Sequence, residues 1–345
     1  MASLPPTPAE VLRSAAAVAA EDEERAGVAM FLGLHPPPSP AGPADPVHPA
    51  HPVDAELGHR LGVVWDVLAA HDPDVTVQDA LAVLADLEFR AGPPRPSAPR
   101  PPDRLAAWRP AGWRTPPRAQ RDAEVARVRD ALVGGRLLRV VNFHDTPLSR
   151  REEFRAQLHG YAARFDPVTA ADVLGFFATG RWSTPRPGIV PAFFDGFASA
   201  VHCAAPLLAE TGLVGWFYPP TEFLDVAPAE QRAFARAHDY GVLEHPEGRL
   251  AMTWDDLADL ARAHEVCGHT ATHAAAPDVR TDDDVTRQVR EPVRRLTEVC
   301  GRVPAAWAWL GGSPFDPASP GDRAVVAEGI ALLTSNAVLE RLPVP

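Results

Sequence analysis

The apolar positions in the first part of the chain repeat with the period of an α-helix. Leu61, Val64 and Trp65, for example, would lie on one face of a helix that Asp54 could cap at its N-terminus. The pattern predicts three helices, over residues 8–32, 54–70 and 77–89.

Proline is concentrated in two stretches of the same region, residues 36–52 and 93–117. Because proline fixes φ and lacks a backbone N–H, these stretches are predicted to be extended linkers. Residues 1–118 are therefore predicted to form a helical module with proline-rich linkers. The pattern leaves its role open, including whether it binds a protein partner.

After Gly135 short apolar runs alternate with amphipathic segments. Runs such as 137–143 and 189–194 are typical of buried strands, and segments such as 150–163 and 282–300 are typical of helices. Strands that alternate with helices imply parallel βα units. Roughly seven strands in about 210 residues fit an irregular seven-stranded (β/α) barrel, closed or nearly closed, over residues 119–345.

Composition narrows the class of protein. A formal net charge of -12 over 345 residues argues against a nucleic-acid-binding surface, which must neutralise phosphates. No run reaches the ~18 consecutive apolar residues of a membrane span, and the first residues lack the order of a signal peptide. The 3 cysteines argue against a disulfide framework. We expect a cytoplasmic protein that acts without a membrane or nucleic acid.

Polar residues follow three of the predicted strands, where sites in (β/α) barrels lie. They are His144 with Asp145, the Asp195–Gly196 pair, and the two histidines of HTATH, His269 and His273. On a helical turn, histidines four apart lie on one side and can share a cation.

Each signal is weak when taken alone, because an Asp-Gly also forms simple turns and a histidine pair also occurs in a core. Two imidazoles and a carboxylate together leave open positions on a metal, as catalytic sites require. The combination predicts one divalent metal on Asp195, His269 and His273.

Four segments resemble the polysaccharide deacetylase (NodB-homology) family. Residues 189–224, with an Asp-Gly at a strand end and a later Pro-Leu-Leu, resemble its first signature. Residues 252–301, which open with Met-Thr-Trp and contain HTATH, resemble its second. LRVVNFHDTP (138–147) and IALLTSNAVLERLP (330–343) are similar to its first and closing strands. The resemblance runs in order from about residue 136 to the end.

The resemblance implies that Asp195, His269 and His273 are metal ligands, with zinc first and cobalt, nickel or iron as alternatives. It also implies hydrolysis of an N-acetyl group through a tetrahedral intermediate, with release of acetate. The chain departs from the family at Phe194, where the family has its general-base aspartate, and at Leu310, where a proline is usual. Nothing in the chain matches the later signatures, which supply a general-acid histidine.

Asp145 or His144 could supply the missing proton transfer, since both follow the first barrel strand. The alternatives are that Asp145 only caps or turns the chain and that His144 is a core histidine. Trp309 could line a sugar-sized pocket or pack in the core. Cys267 is expected to be a small buried side chain, not a ligand.

Three functions follow from these residues. The first is a metal-dependent, deacetylase-like hydrolase of a non-peptide carbon–nitrogen bond, acting on a soluble intracellular N-acetylated sugar or amide metabolite. The second is a catalytically degenerate barrel that serves as a binding or scaffold protein. The third is a redox-metal enzyme that uses the same two-His-one-Asp site. The metal ligands favour the first and third, and Phe194 favours the second and third.

Overall fold

The computed structural model describes residues 33–35, 61–62, 64–66, 69, 80, 117–133, 138–163, 165–242, 248–335 and 338–343. The helix predicted at 8–32 and the proline-rich stretch 36–52 lie outside the described residues. The same holds for 93–117 apart from its last residue and for 77–89 apart from residue 80.

The described residues contain nine strands in two sheets. The strands are β1 Gly33–His35, β2 Leu138–Phe143, β3 Asp166–Pro167, β4 Gly188–Phe194, β5 Trp216–Tyr218, β6 Glu265–Val266, β7 Ala306–Ala308, β8 Leu332–Ser335 and β9 Val338–Arg341. Strand order in the larger sheet is β1-β2-β4-β5-β6, with β3 beside β4, and the smaller sheet is β7-β8-β9. All pairings are parallel except β1 with β2 and β8 with β9.

A single β-bridge between Gly268 and Trp307 links the two sheets. Gly268 N–H donates to Ala306 O over 2.9 Å, and Gly268 O accepts from Ala308 N–H over 2.9 Å. In the described part of the chain, no ladder joins β1 to β9 and closes the ring. The predicted order of parallel βα units is confirmed. The described residues form nine strands where roughly seven were predicted, and no continuous ladder among them closes the ring.

The predicted helices from residue 150 onward are confirmed, with ends shifted by a few residues. Three further helices, over residues 118–133, 221–225 and 231–237, were not predicted, and the last two are only five and seven residues long. The helices are α1 Arg118–Val133, α2 Arg151–Ala162, α3 Ala170–Thr179, α4 Ala205–Thr211, α5 Thr221–Asp225, α6 Gln231–Ala237, α7 Trp254–Leu260, α8 Asp282–Val285, α9 Glu291–Cys300 and α10 Pro320–Ala327. A π-helical turn precedes α4, and another joins α8 to α9.

Strand β4 shows why the strands are continuous apolar runs. Ile189 and Phe193 pack on one side of the sheet, in a cluster that includes helix residues. Val190, Ala192 and Phe194 pack on the other side, in a second cluster. Because both faces of the strand are buried, the polar alternation of a half-exposed strand is absent.

The N-terminal residues that the structure describes pack on the same core. Leu61 and Trp65 belong to the cluster that contains Phe143 of β2. Trp65 Nε1 donates to Asp122 Oδ1 over 2.6 Å. The predicted face of the 54–70 helix is thus buried against the rest of the chain, while the domain boundary at residue 118 stays a prediction.

None of the helices in the described ranges has the length and apolarity that crossing a membrane requires.

Two glycines give a matched test of how tightly the sheets are joined. A Cβ on Gly268 would lie 2.2 Å from Trp307 Cε3, whereas a Cβ on Gly175, inside α3, would meet nothing within 4 Å. We expect Gly268→Ala to lower the free energy of unfolding by about 1–3 kcal/mol, because the buried indole must move. Gly175→Ala should raise it by roughly 0.5–1 kcal/mol. Urea denaturation measures both, and equal effects would contradict the packing described.

Candidate metal centre

Asp195 follows β4 directly and ends the strand in a sharp turn. Both Asp195 (φ 69°) and Gly196 (φ 68°) have left-handed backbone conformations. A Cβ at position 196 would lie 3.1 Å from Pro219 Cβ, so this place favours glycine twice over. The turn leaves the Asp195 carboxylate 1% exposed at the carboxyl end of the sheet.

The HTATH segment forms an irregular turn after β6, and the prediction of a helical turn is wrong. Thr270 (φ 59°) and His273 (φ 65°) both have left-handed conformations. Gln288 Oε1 accepts from Ala271 N–H over 3.1 Å and from Thr272 N–H over 3.2 Å, which holds the turn from the π-helical segment before α9.

The ends of β4 and β6 bring the three predicted ligands together. Asp195, His269 and His273 are all buried, and one ligand atom from each lies within 4.8 Å of the others. Asp195 Oδ1 is 3.4 Å from His273 Nε2 and 3.7 Å from His269 Nε2. These separations exceed the ~2.7–3.2 Å of a good N–H···O hydrogen bond and suit groups that share a cation.

Backbone carbonyls fix which nitrogen of each ring could bind a metal. His269 Nδ1 donates to Ala308 O over 3.0 Å, and His273 Nδ1 donates to His238 O over 2.8 Å. Since a carbonyl can only accept, Nδ1 carries the proton of each neutral ring, and Nε2 of the neutral ring then keeps a lone pair. Metal-ligating histidines are typically oriented in this way.

The two oxygens of Asp195 have different surroundings. Oδ2 accepts from His144 Nδ1 over 2.8 Å. Oδ1 is buried and, among the residues that the structure describes, has no hydrogen-bond partner. A buried carboxylate oxygen without a donor is rare in folded proteins and needs an explanation. A cation beside Oδ1 and the two Nε2 atoms would provide one, so the residues present fit a divalent metal.

The ionisation states also suit a cation site. Burial opposes the charge on Asp195, but the charges of His144 and His273 and the hydrogen bond from His144 outweigh it and hold the pKa of Asp195 below its usual range. Burial lowers the pKa of His273 to about 4, so this ring is neutral at pH 7. Burial likewise opposes the charge on His144, but Asp195 raises the pKa of His144 above its ordinary value.

The two residues predicted for proton transfer face different places. The His144 side chain contacts Asp195 and is 33% exposed. Asp145 is 4% exposed, and its Oδ1 accepts from Ser199 Oγ over 2.6 Å. Asp145 is not part of the Asp-His-His cluster, and it lines a separate cavity.

This cavity has a volume of about 460 Å³ and lies at the carboxyl ends of β2 and β4. Its wall combines apolar side chains, such as Leu148 and Phe197, with the polar groups of Asp145, Ser199 and Arg249. Because residues 144 and 195 precede these wall segments and touch each other, the cavity lies on the same rim as the three ligands.

The ring of Phe194 lies beside the candidate ligands. It stacks on Tyr218 at 4.6 Å between centroids and meets the His269 ring edge-on at 5.4 Å. Tyr218 in turn shares a 2.7 Å hydrogen bond with Thr334. A phenyl ring in this position accepts no proton.

Trp309 and Cys267 both lie in the core. Trp309 is 2% exposed, packs in a hydrophobic cluster and donates from Nε1 to Asp322 Oδ1 over 2.8 Å. The structure therefore favours the packing alternative for Trp309 over contact with a sugar. Cys267 is buried, and burial raises the pKa of its thiol, as expected for a small core side chain.

Sequence reasoning missed the residues that hold the ligands in place. Ala308 and His238 act through backbone carbonyls, which no side-chain pattern reveals. Gln288 and Tyr240 lie on a helix face and after a short helix, and neither carries a motif. The ring of Tyr240 stacks on that of His273, at 4.7 Å between centroids and 10° between planes.

Comparison with known proteins finds structural likeness only. No protein-family model matches the chain, and no curated protein matches it by sequence. The deacetylase PplD of Streptococcus pyogenes, solved in complex with acetate, is 11% identical over 55% of this chain and 79% of its own, with a TM-score of 0.43. IcaB from Ammonifex degensii is 17% identical over 58% of this chain and 86% of its own, with a TM-score of 0.42.

A polysaccharide deacetylase from Bacillus cereus is 17% identical over 60% of each chain, with a TM-score of 0.42. The chain resembles polysaccharide deacetylases. Because the TM-scores of these three structures are below 0.5, the function of this chain has to be inferred from its own residues.

The metal ligands can be tested by removing them one at a time. We expect the wild-type protein to bind one equivalent of zinc, and His269→Ala or His273→Ala to lose most of it because two ligands hold a divalent ion weakly. His159→Ala is the control, since His159 is half exposed and pairs with Glu210 on the surface. Elemental analysis after dialysis gives the stoichiometry. Equal metal in the wild type and in His273→Ala would rule out this site.

Proposed function

We propose that the protein is a metal-dependent hydrolase that removes an acyl group, such as acetyl, from a non-peptide amide. The observation that supports it is the buried set of Asp195, His269 and His273, in which Oδ1 meets no donor among the described residues and both neutral rings hold a lone pair on Nε2. An open three-ligand site of this kind suits hydrolysis. Zinc is the first choice of metal on this donor set, with cobalt, nickel or iron as alternatives.

When bound, a divalent cation lowers the pKa of coordinated water and polarises the amide carbonyl. In the reaction, the water oxygen forms a bond to the acyl carbon, the carbon–nitrogen bond breaks, and the nitrogen leaves as an amine with a proton from the water. The cation would be held by Asp195, His269 and His273. The ring of Phe194 would exclude bulk water from one side of the site.

Proton transfer is assigned to His144. Its Nδ1 proton is donated to Asp195 Oδ2, which leaves Nε2 to exchange a proton with water or with the leaving amine. The side chain is partly exposed, so it can be reached from the open side of the site. Histidine is the residue that most often performs this task. In this proposal His144 takes over what an aspartate at position 194 would do.

The cavity beside the ligands is proposed to hold the rest of the substrate. Asp145 and Ser199 offer acceptors for hydroxyl or amine groups, while Leu148 and Phe197 offer apolar surface. A sugar ring, with hydroxyls on its edge and an apolar face, is one ligand of this chemistry, and an amide-bearing metabolite is another. We propose that the substrate is soluble and that the protein acts in the cytoplasm.

Phe194 supports a competing function. Without a carboxylate at this place the site could bind metal and ligand and not turn over, in which case the protein would be a binding or scaffold protein. A redox-active ion on the same ligands would instead support oxygen chemistry. Oxygen consumption by the ferrous protein would favour this last function.

Acetate release tests the hydrolase directly. We expect zinc-loaded wild-type protein to release acetate from members of a panel of N-acetylated sugars and amides, measured by a coupled acetate assay. Asp195→Ala should abolish release because the metal is lost, while His159→Ala should release acetate at the wild-type rate. A metal-loaded wild type that releases no acetate across the panel would contradict the hydrolase and favour the binding protein.

Kinetics of two neighbouring variants separate the roles of His144 and Asp145. His144→Gln should lower kcat by about 10²–10⁴-fold, the usual contribution of a proton-transfer group. Asp145→Asn should raise KM with a smaller change in kcat, because Asp145 faces the cavity and not the ligands. The reverse pattern would assign proton transfer to Asp145 instead.

A further inference from the structure

The residues after α6 hold one of the metal ligands. His238 ends this helix, and Asp239 follows in a left-handed conformation with φ 57°. Tyr240 N–H then donates to Ala235 O over 3.0 Å. This hydrogen bond across a left-handed residue is the Schellman motif of helix ends, which reverses the chain and brings the side chain after it back toward the helix.

The motif places two groups of the same segment against His273. The carbonyl of His238 accepts the Nδ1 proton of His273 over 2.8 Å. The ring of Tyr240 lies flat on the imidazole at 4.7 Å and 10°. One group fixes the rotation of the ring within its plane, and the other fixes the plane itself. Nε2 is thereby aimed at Asp195 Oδ1, 3.4 Å away.

Aromatic neighbours hold Tyr240 in turn. Phe223 of α5 stacks on it at 4.8 Å, and Phe197, two residues after Asp195, meets it edge-on at 6.0 Å. Phe197 also lines the 460 Å³ cavity. Tyr240 therefore connects the metal ligand, the α6 end and the cavity wall through direct contacts.

The surroundings of the Tyr240 hydroxyl give a second observation, which does not depend on the contacts of the ring. Tyr240 is 7% exposed, and within the described ranges its hydroxyl has no hydrogen-bond partner. Packing on His273 needs only the ring, which phenylalanine would supply equally well. A buried phenol that meets no partner among the described residues leaves a donor available, and the contact of its ring with His273 places it next to the candidate site.

We propose that Tyr240 is a positioning residue of the metal centre, whose ring fixes His273 and whose hydroxyl donates a hydrogen bond to a carboxylate or acyl oxygen bound there. The ring's role needs only that the site binds metal. The hydroxyl's role rests on the proposed function, because acetate is the product expected of it.

Metal affinity tests the ring. Tyr240→Leu removes it and should weaken zinc binding about 10- to 100-fold, the usual effect of losing a group that orients a ligand. Tyr240→Phe keeps the ring and should bind zinc as tightly as the wild type. Tyr161→Leu is the matched control, since Tyr161 is equally buried but packs in the cluster around β2. It should lower the denaturation midpoint and leave zinc affinity unchanged.

Competition with a chelator measures these affinities without any assay of turnover. Wild-type zinc affinity in Tyr240→Leu would overturn the positioning role. A wild-type protein that binds no zinc would instead overturn the proposed function itself, so the two failures are distinct.

Acetate binding to the zinc-loaded proteins tests the hydroxyl. Calorimetric titration should show acetate affinity about tenfold lower in Tyr240→Phe than in the wild type, with zinc affinity unchanged. Without acetate, Tyr240→Phe should raise the denaturation midpoint, because a buried unpaired hydroxyl is removed. Equal acetate affinity in both proteins would overturn the donor role.

Discussion

The structure depends on how one buried carboxylate is compensated. An ionised aspartate that is 1% exposed is costly unless each oxygen meets a donor or a cation. His144 compensates Oδ2, while Oδ1 faces, among the described residues, the Nε2 atoms of His269 and His273, which carry lone pairs in the neutral rings. Asp195 Oδ1 and the two Nε2 atoms, all hydrogen-bond acceptors when the rings are neutral, therefore lie close to one another. A positive ion between them would compensate their charge and lone pairs.

Several residues around this carboxylate have strained, left-handed backbone conformations. Of the described residues other than glycine, four have positive φ, namely Asp195, Asp239, Thr270 and His273. Asp195 and His273 are candidate ligands, Thr270 lies between the two histidines of HTATH, and Asp239 forms the turn that holds His273. Left-handed conformations of such residues cost of order 1–3 kcal/mol each and persist where the surroundings fix them. Their concentration here marks the rim as the part of the fold that packing alone does not explain.

The parts of the site that sequence could predict are those carried by side chains next to strong strand patterns. The run GIVPAFF is buried on both faces, and this makes β4 and the Asp-Gly at its end predictable. The HTATH spacing picked out two histidines that do lie beside Asp195, but on a backbone other than the one predicted, because a left-handed turn can also bring residues four apart to one place. The joining of the sheets at Gly268 depends on the close approach of Trp307, which no local pattern encodes.

The supports of the site were beyond prediction for a different reason. Ala308 and His238 contribute carbonyls, and any residue there would do the same. Tyr240 follows a seven-residue helix that is too short to show clear periodicity. The candidate ligands can therefore be recognised from the type of their side chains, whereas their orientation depends on tertiary contacts.

X-ray absorption spectroscopy of the zinc-loaded protein decides whether Asp195, His269 and His273 bind the ion, because it reports the atoms around it. We expect two imidazole nitrogens at about 2.0–2.1 Å and carboxylate or water oxygens at about 2.0–2.2 Å, with no sulfur. A sulfur neighbour at about 2.3 Å, or a spectrum without imidazole, would contradict a metal held by Asp195, His269 and His273.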